Sequence, residues 1–257
     1  MIPASDITKW SISHPWATRD NIEQDFLLSQ AICEIAKDTF LGNELVIRGG
    51  TAFHKLFLPK PLRYSEDLDY VRTTAGGIGP IMNQLSIIGE NLGYKVNSSL
   101  SKYPKVLWKN TAESGQLLKI KIEINTYERS PSMSLITIFH NVETEYYKAR
   151  AAVRTFQPEE LVATKIRALY QRSKGRDLFD IWLALEMLSL NPETILSAFE
   201  SYRPEGMTSN STIKNLIKKL ENRQFIEDLD NLAILREIGY EPAIAGDIII
   251  NKLLCKL

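Results

Sequence analysis

Asp67 and Asp69 stand two residues apart in the run Asp67-Leu68-Asp69-Tyr70-Val71, whose composition predicts a β-strand. Successive side chains of a strand leave opposite faces, so both carboxylates share one face while Leu68 and Tyr70 share the other. At about 3.3 Å per residue the two acids sit roughly 7 Å apart along the backbone. Two like charges held this way call for a cation between them. Magnesium, or manganese in its place, suits the pair, because it takes oxygen ligands and commonly uses one or two carboxylates together with substrate phosphates. The plainer alternative is an Asp-x-Asp at a solvated strand edge, with no metal.

Two further elements bear on this chemistry. Gly49-Gly50-Thr51 follows the short apolar run Leu45-Val46-Ile47 and precedes a helical pattern, giving strand, glycine turn and helix. Backbone amides at such a helix start offer donors and a positive dipole to phosphate. Ser65 precedes the acidic pair and could donate to the same ligand or cap a turn. The clearest strand pattern is Gln116 to Asn125, where Ile120, Ile122 and Ile124 alternate with Lys119, Lys121, Glu123 and Asn125. If this strand lies beside the acidic one, Glu123 joins Asp67 and Asp69 as a third metal-binding carboxylate; otherwise it belongs to a solvated face.

Farther along, Pro158 opens a helical stretch in which Lys165 falls among Leu161, Ala168 and Leu169, an unusual setting for a purely solvating lysine. Its stem could pack while its ammonium meets a triphosphate. After Gly175, Arg176, Asp177 and Asp180 begin another helix. Asp177 suits its first turn, by dipole or by a salt bridge to Arg172 or Arg176, while Asp180, beside Phe179, Ile181 and Trp182, asks for a partner. Arg172, Lys174 and Arg176 form a basic cluster able to hold RNA phosphates or simply to face solvent.

The elements that must position these groups divide the chain in two. The first half carries a helix over 21–40 stopped by Gly42-Asn43, strands at 45–47 and 67–71, a helix over 81–92, and strands at 94–100, 105–109 and 116–125. Beyond about residue 151 the pattern is helical to the end. The expectation is an α+β protein, with an α/β domain over 1–150 and a helical domain over 151–257 contributing to the same cleft.

Composition narrows the chemistry. Lysine plus arginine equals aspartate plus glutamate at 31 each, so no bulk field attracts a polyanion and any such site is a local patch. Cys33 and Cys255 are the two cysteines, without metal-ligand spacing, which argues against a zinc site or a disulfide framework. No leader pattern or run of about 18 apolar residues is present, so the expected location is the cytoplasm, with no membrane partner.

Four blocks in order, LVIRGGTA (45–52), RYSEDLDY (63–70), ATKIRAL (163–169) and RSKGRDLFDIW (172–182), resemble the AbiEii nucleotidyltransferase toxin family of toxin–antitoxin pairs. The resemblance implies a polymerase-β-like nucleotidyltransferase core followed by a helical region. It assigns nucleotide and metal binding to Gly49, Gly50, Ser65, Asp67 and Asp69, with Thr51 beside them. It matches the family's helical lysine to Lys165 and its Arg-Asp-x-x-Asp motif to Arg176, Asp177 and Asp180. The implied partners are an NTP, an RNA acceptor such as a tRNA 3′ end, and a cognate antitoxin. Transfer of the nucleotide to a protein, and a catalytically silent nucleotide- or partner-binding module, stand as alternatives.

Overall fold

The computed structural model describes residues 2–230, 232–233 and 238–257. The chain divides into two compact units, Met1–Phe156 and Gln157–Leu257.

The first unit is built on a seven-stranded mixed sheet. Its strands are β1 (Leu45–Arg48), β2 (Asp67–Arg72), β3 (Lys95–Ser99), β4 (Lys105–Thr111), β5 (Leu117–Asn125), β6 (Ile136–Glu143) and β7 (Lys148–Thr155), in the order β3-β4-β5-β2-β1-β7-β6. β2 pairs antiparallel with β1 and parallel with β5, which sets β2 at the centre. Helices α1 (Ala4–Ser11), α2 (Arg19–Lys37), α3 (Thr39–Glu44), α4 (Gly49–Leu56) and α5 (Gly79–Asn91) complete the unit.

The isoleucine alternation of β5 explains the core. Ile120, Ile122 and Ile124 are buried together with Leu68 and Tyr70 of β2 and with Phe26, Leu28, Ala31, Ile32 and Ile35 of α2. At roughly 25 cal/mol per Å² of apolar surface, such burial is the main force holding helix to sheet. The alternate residues of β2 and β5, the acids and lysines, are thereby turned to the other face.

Two expectations need correction. The helix read over 21–40 ends at Lys37, because Asp38 takes an extended backbone and its side chain accepts from Leu41 N, capping α3. Gly42 and Asn43 lie inside that second helix instead of stopping the first. In addition, β6 and β7 fill the stretch after residue 125 that the sequence leaves without an expected strand, and β7 runs past residue 151 to Thr155 before the helices begin.

The second unit consists of α6 (Pro158–Gln171), α7 (Gly175–Met187), α8 (Pro192–Phe199), α9 (Ser209–Leu220), α10 (Arg223–Ile226) and α11 (Pro242–Lys252), with short 3-10 turns. Pro158 and Pro192 open α6 and α8, where a missing N–H costs nothing. The expected helical run includes residues 231 and 234–237, which lie outside the described residues.

Candidate active site

β2 delivers Asp67 and Asp69 to one sheet face, and the neighbouring strands fix what meets them. In the parallel register with β5, Asp67 lies opposite Lys121 and Asp69 opposite Glu123. On the other side Asp69 lies opposite Arg48 of β1. Glu123 is therefore one strand, roughly 4.8 Å, from Asp69 at the backbone, as adjacent placement of the two strands requires.

The glycine corner closes on the same point. Gly49 follows Arg48 with φ of 79°, a left-handed conformation that a side chain disfavours. A Cβ at residue 49 would stand 2.7 Å from Asp69 Oδ2, so the bare Cα is what lets the backbone approach the carboxylate. Thr51, buried in the first turn of α4, donates its hydroxyl to the Asp67 carbonyl at 2.6 Å and lies 2.7 Å from Ser65 Oγ. These bonds tie the helix start, the Ser65 loop and β2 into one rigid corner, with Thr51 facing protein.

Charge pairing at the acids was not legible in the motifs. Lys121 Nζ lies 2.8 Å from Asp67 Oδ2 and 3.2 Å from Glu123 Oε2, and Lys105 Nζ is 3.7 Å from Glu123. Burial works against the Lys121 ammonium, but its hydrogen bonds to Asp67 and Glu123 outweigh that and hold its pKa above the ordinary value. Among the described residues no three histidine, cysteine, aspartate or glutamate side chains converge as a metal cage. Asp67 and Asp69 are the carboxylates of this corner that could hold a divalent ion, which would draw its remaining ligands from substrate oxygens. Arg48, at the end of β1, pairs with Glu128 at 2.7 Å.

In the second unit, α6 and α7 bring together Lys165, Asp177 and Asp180. Lys165 Nζ lies 3.0 Å from Asp177 Oδ1 and 2.8 Å from Asp180 Oδ2. Arg172 grips Asp177 with two nitrogens, at 2.7 and 2.8 Å. Burial alone would push the Asp177 carboxyl up; Lys165 and Arg172 outweigh it and keep the pKa below the ordinary carboxylate value. Asp180 gains in Lys165 the partner that its apolar neighbours demanded. The basic cluster is not free for RNA as a whole, since Arg172 holds Asp177 and Lys174 pairs with Asp228 at 3.4 Å. Asp228, which the motifs missed, also accepts from the Arg176 backbone N–H at the start of α7.

A family model for the nucleotidyl transferase AbiEii toxin of type IV toxin–antitoxin systems matches residues 30–244. The chain belongs to the AbiEii family. Membership makes it a nucleotidyltransferase toxin of a type IV system, with a nucleotide substrate and an antitoxin partner. The fold agrees with that of MenT4, a nucleotidyltransferase toxin from Mycobacterium tuberculosis H37Rv, at a TM-score of 0.68 and 13% identity, over 100% of this chain and 91% of MenT4. An antigenic nucleotidyltransferase-like protein from Paracoccidioides brasiliensis aligns at a TM-score of 0.44 and 18% identity, over 82% of this chain and 94% of its own. No curated protein matches the sequence. No helix among the described residues of this AbiEii chain is long and apolar enough to cross a membrane.

Proposed function

We propose that the chain transfers a nucleotide from an NTP to the 3′ end of an RNA, with magnesium or manganese bound through Asp67 and Asp69. The observation that carries this reading is the fit of the glycine corner to the acids: Gly49 leaves room for the Asp69 carboxylate where any Cβ would intrude. When bound, the divalent ion would lower the pKa of the attacking hydroxyl and stabilise charge on the leaving pyrophosphate. Glu123 supplies a third carboxylate when Lys121 and Lys105 release its oxygens, and Lys121 is then free to meet phosphate charge. Gly49, Gly50 and Ser65 contact the triphosphate, with Thr51 holding the corner in place. On the family resemblance, Lys165 neutralises developing phosphate charge, Arg176 and Asp177 help bind nucleotide, and Asp180 orients the lysine.

The resemblance also favours the acceptor end of tRNA and a cytoplasmic setting. Radiolabelled NTP, total RNA and magnesium offered to the protein should yield RNase-sensitive label, and Asp69→Ala should abolish it. Undiminished transfer by that variant would remove the metal assignment, and label that survives RNase but not protease would make the acceptor a protein.

A further inference from the structure

Beyond the carboxylates, the same sheet face carries cations that the transfer chemistry does not use. Strand pairing sets Lys95 of β3 opposite Lys109 of β4, and Lys109 opposite Lys119 of β5, so three lysines form a row across three strands. Like charges directly opposite one another across strands are destabilising. Nothing in the fold offsets that repulsion: among the described residues no carboxylate pairs with any of the three. The core gains nothing from them either, because Val106, Trp108, Ile120 and Ile122 are buried on the opposite face.

The row is placed for a ligand at the acids. It lies across strands about 4.8 Å apart, and Lys119 is two residues, about 7 Å, from Lys121, whose ammonium touches Asp67. Glu123 is the one acidic residue that β3, β4 and β5 turn to this face. We infer that the lysine row is the track on which the phosphates of the acceptor RNA lie as its 3′ end reaches Asp67 and Asp69. The inference rests on the RNA-acceptor reading above and names the surface that serves it. A protein interface would require an apolar centre and is typically poor in lysine. On this face the half-buried Leu107 and the exposed Leu117 stand singly among the lysines and the polar Asn97, Ser99 and Thr111, too little apolar surface for such a centre and a setting that suits a phosphate chain.

The test compares the full-length protein with Lys95→Gln/Lys109→Gln/Lys119→Gln, and with Lys9→Gln/Lys214→Gln/Lys218→Gln as a charge-matched control. The probe is a fluorescein-labelled RNA hairpin with a single-stranded 3′ tail, read by anisotropy across a salt series. The row variant should bind at least about tenfold more weakly near 0.1 M salt. Its slope of log affinity against log salt should shrink by about 2, since each neutralised phosphate contributes about 0.7 for single strands. In steady-state transfer its KM for RNA should rise while its KM for NTP stays at the wild-type value. Wild-type affinity and slope in the row variant, or an equal loss in the control, would overturn the inference. So would wild-type protein that binds no RNA, or a row variant that keeps RNA but loses its antitoxin, which would give the face to a protein. Failure of the acceptor reading registers separately, as label on protein in the transfer assay.

Discussion

Gly49→Ala isolates the contact on which the active-site reading depends. Two costs arise from one methyl group. The left-handed backbone, at φ of 79°, costs a residue with Cβ about 1–2 kcal/mol. The methyl carbon would also stand 2.7 Å from Asp69 Oδ2, 3.4 Å from Asp69 Cβ and 3.4 Å from its Cγ. Either the corner or the carboxylate must give by several tenths of an ångström. For a unit of this size about 1 kcal/mol lowers Tm by roughly 2–4 °C, so the backbone cost alone should lower it by about 2–8 °C. Transfer activity, measured well below the melting range where the variant is folded, should fall far more steeply, because Asp69 is pushed off the position from which it is proposed to bind metal. A double-mutant cycle separates the two costs. In an Asp69→Ala background the methyl meets no carboxylate, so Gly49→Ala should retain only the backbone cost and the two substitutions should couple. Strict additivity of stability, or Gly49→Ala with wild-type activity, would refute the argument that the glycine exists to admit Asp69.

Other consequences are more direct. Lys165→Met leaves Asp177 and Asp180 buried without their shared cation, and should cost about 3–5 kcal/mol in chemical denaturation at neutral pH; a loss under 1 kcal/mol would show that the pair is not held this way. Burial holds the pKa of both His14 and His140 down to about 4, with Lys55 adding to it and Asp25 opposing it. The unfolded chain takes up these protons near pH 6.5, so this contribution to stability is complete above that value and is lost as pH falls toward 4. Denaturation at about pH 5 should show a loss on the order of 2 kcal/mol per histidine relative to about pH 7.5, and His14→Gln/His140→Gln should flatten the profile; identical stability at both values would count against it. Gly175→Ala would place a Cβ 2.1 Å from the Phe225 carbonyl oxygen, so it should markedly lower the melting temperature, and an unchanged melt would contradict that close approach.

What the sequence made legible follows the reach of each signal. Alternation along a single strand is local, so the shared face of Asp67 and Asp69 and the polar face of β5 could be read from residue types. Helical spacing likewise placed Lys165 against apolar neighbours, where Asp177 and Asp180 meet it. Register between strands is not local. β2 and β5 are parallel neighbours separated in sequence by α5, β3 and β4, so nothing near Asp67 announces that Lys121 stands opposite it. Pairing at that distance is decided by which faces bury their isoleucines and tyrosines, and the position of every charge follows from that choice. The strands β6 and β7 escaped for a related reason. β7 contains Ala149, Ala151 and Ala152, small residues with weak strand preference, and β6 exposes Phe139 where a polar residue would mark the outer face. The break after Lys37 depended on one side-chain cap at Asp38, which the glycine at residue 42 obscured.

The chain as a whole carries no net charge, so any attraction it has for a polyanion must come from segregation within the molecule. The sheet performs that segregation with its pleat. Sending Ile120 and Ile122 inward sends Lys119 and Lys121 outward, and the antiparallel register of β4 and β3 then adds Lys105, Lys109 and Lys95 to the same surface. At physiological salt the Debye length is about 8 Å, comparable with the spacing across two strands, so these ammonium groups act together on a nearby phosphate while distant surface charge is screened. Lys121 and Lys105 also sit against Asp67 and Glu123, so the field at the acids is already partly neutralised before a divalent ion arrives. On the proposed reading, metal and triphosphate binding at this corner would be coupled: an ion held by Asp67 and Asp69 would take the place of an ammonium at the carboxylates, and Lys121 would then find its counter-charge on the phosphates.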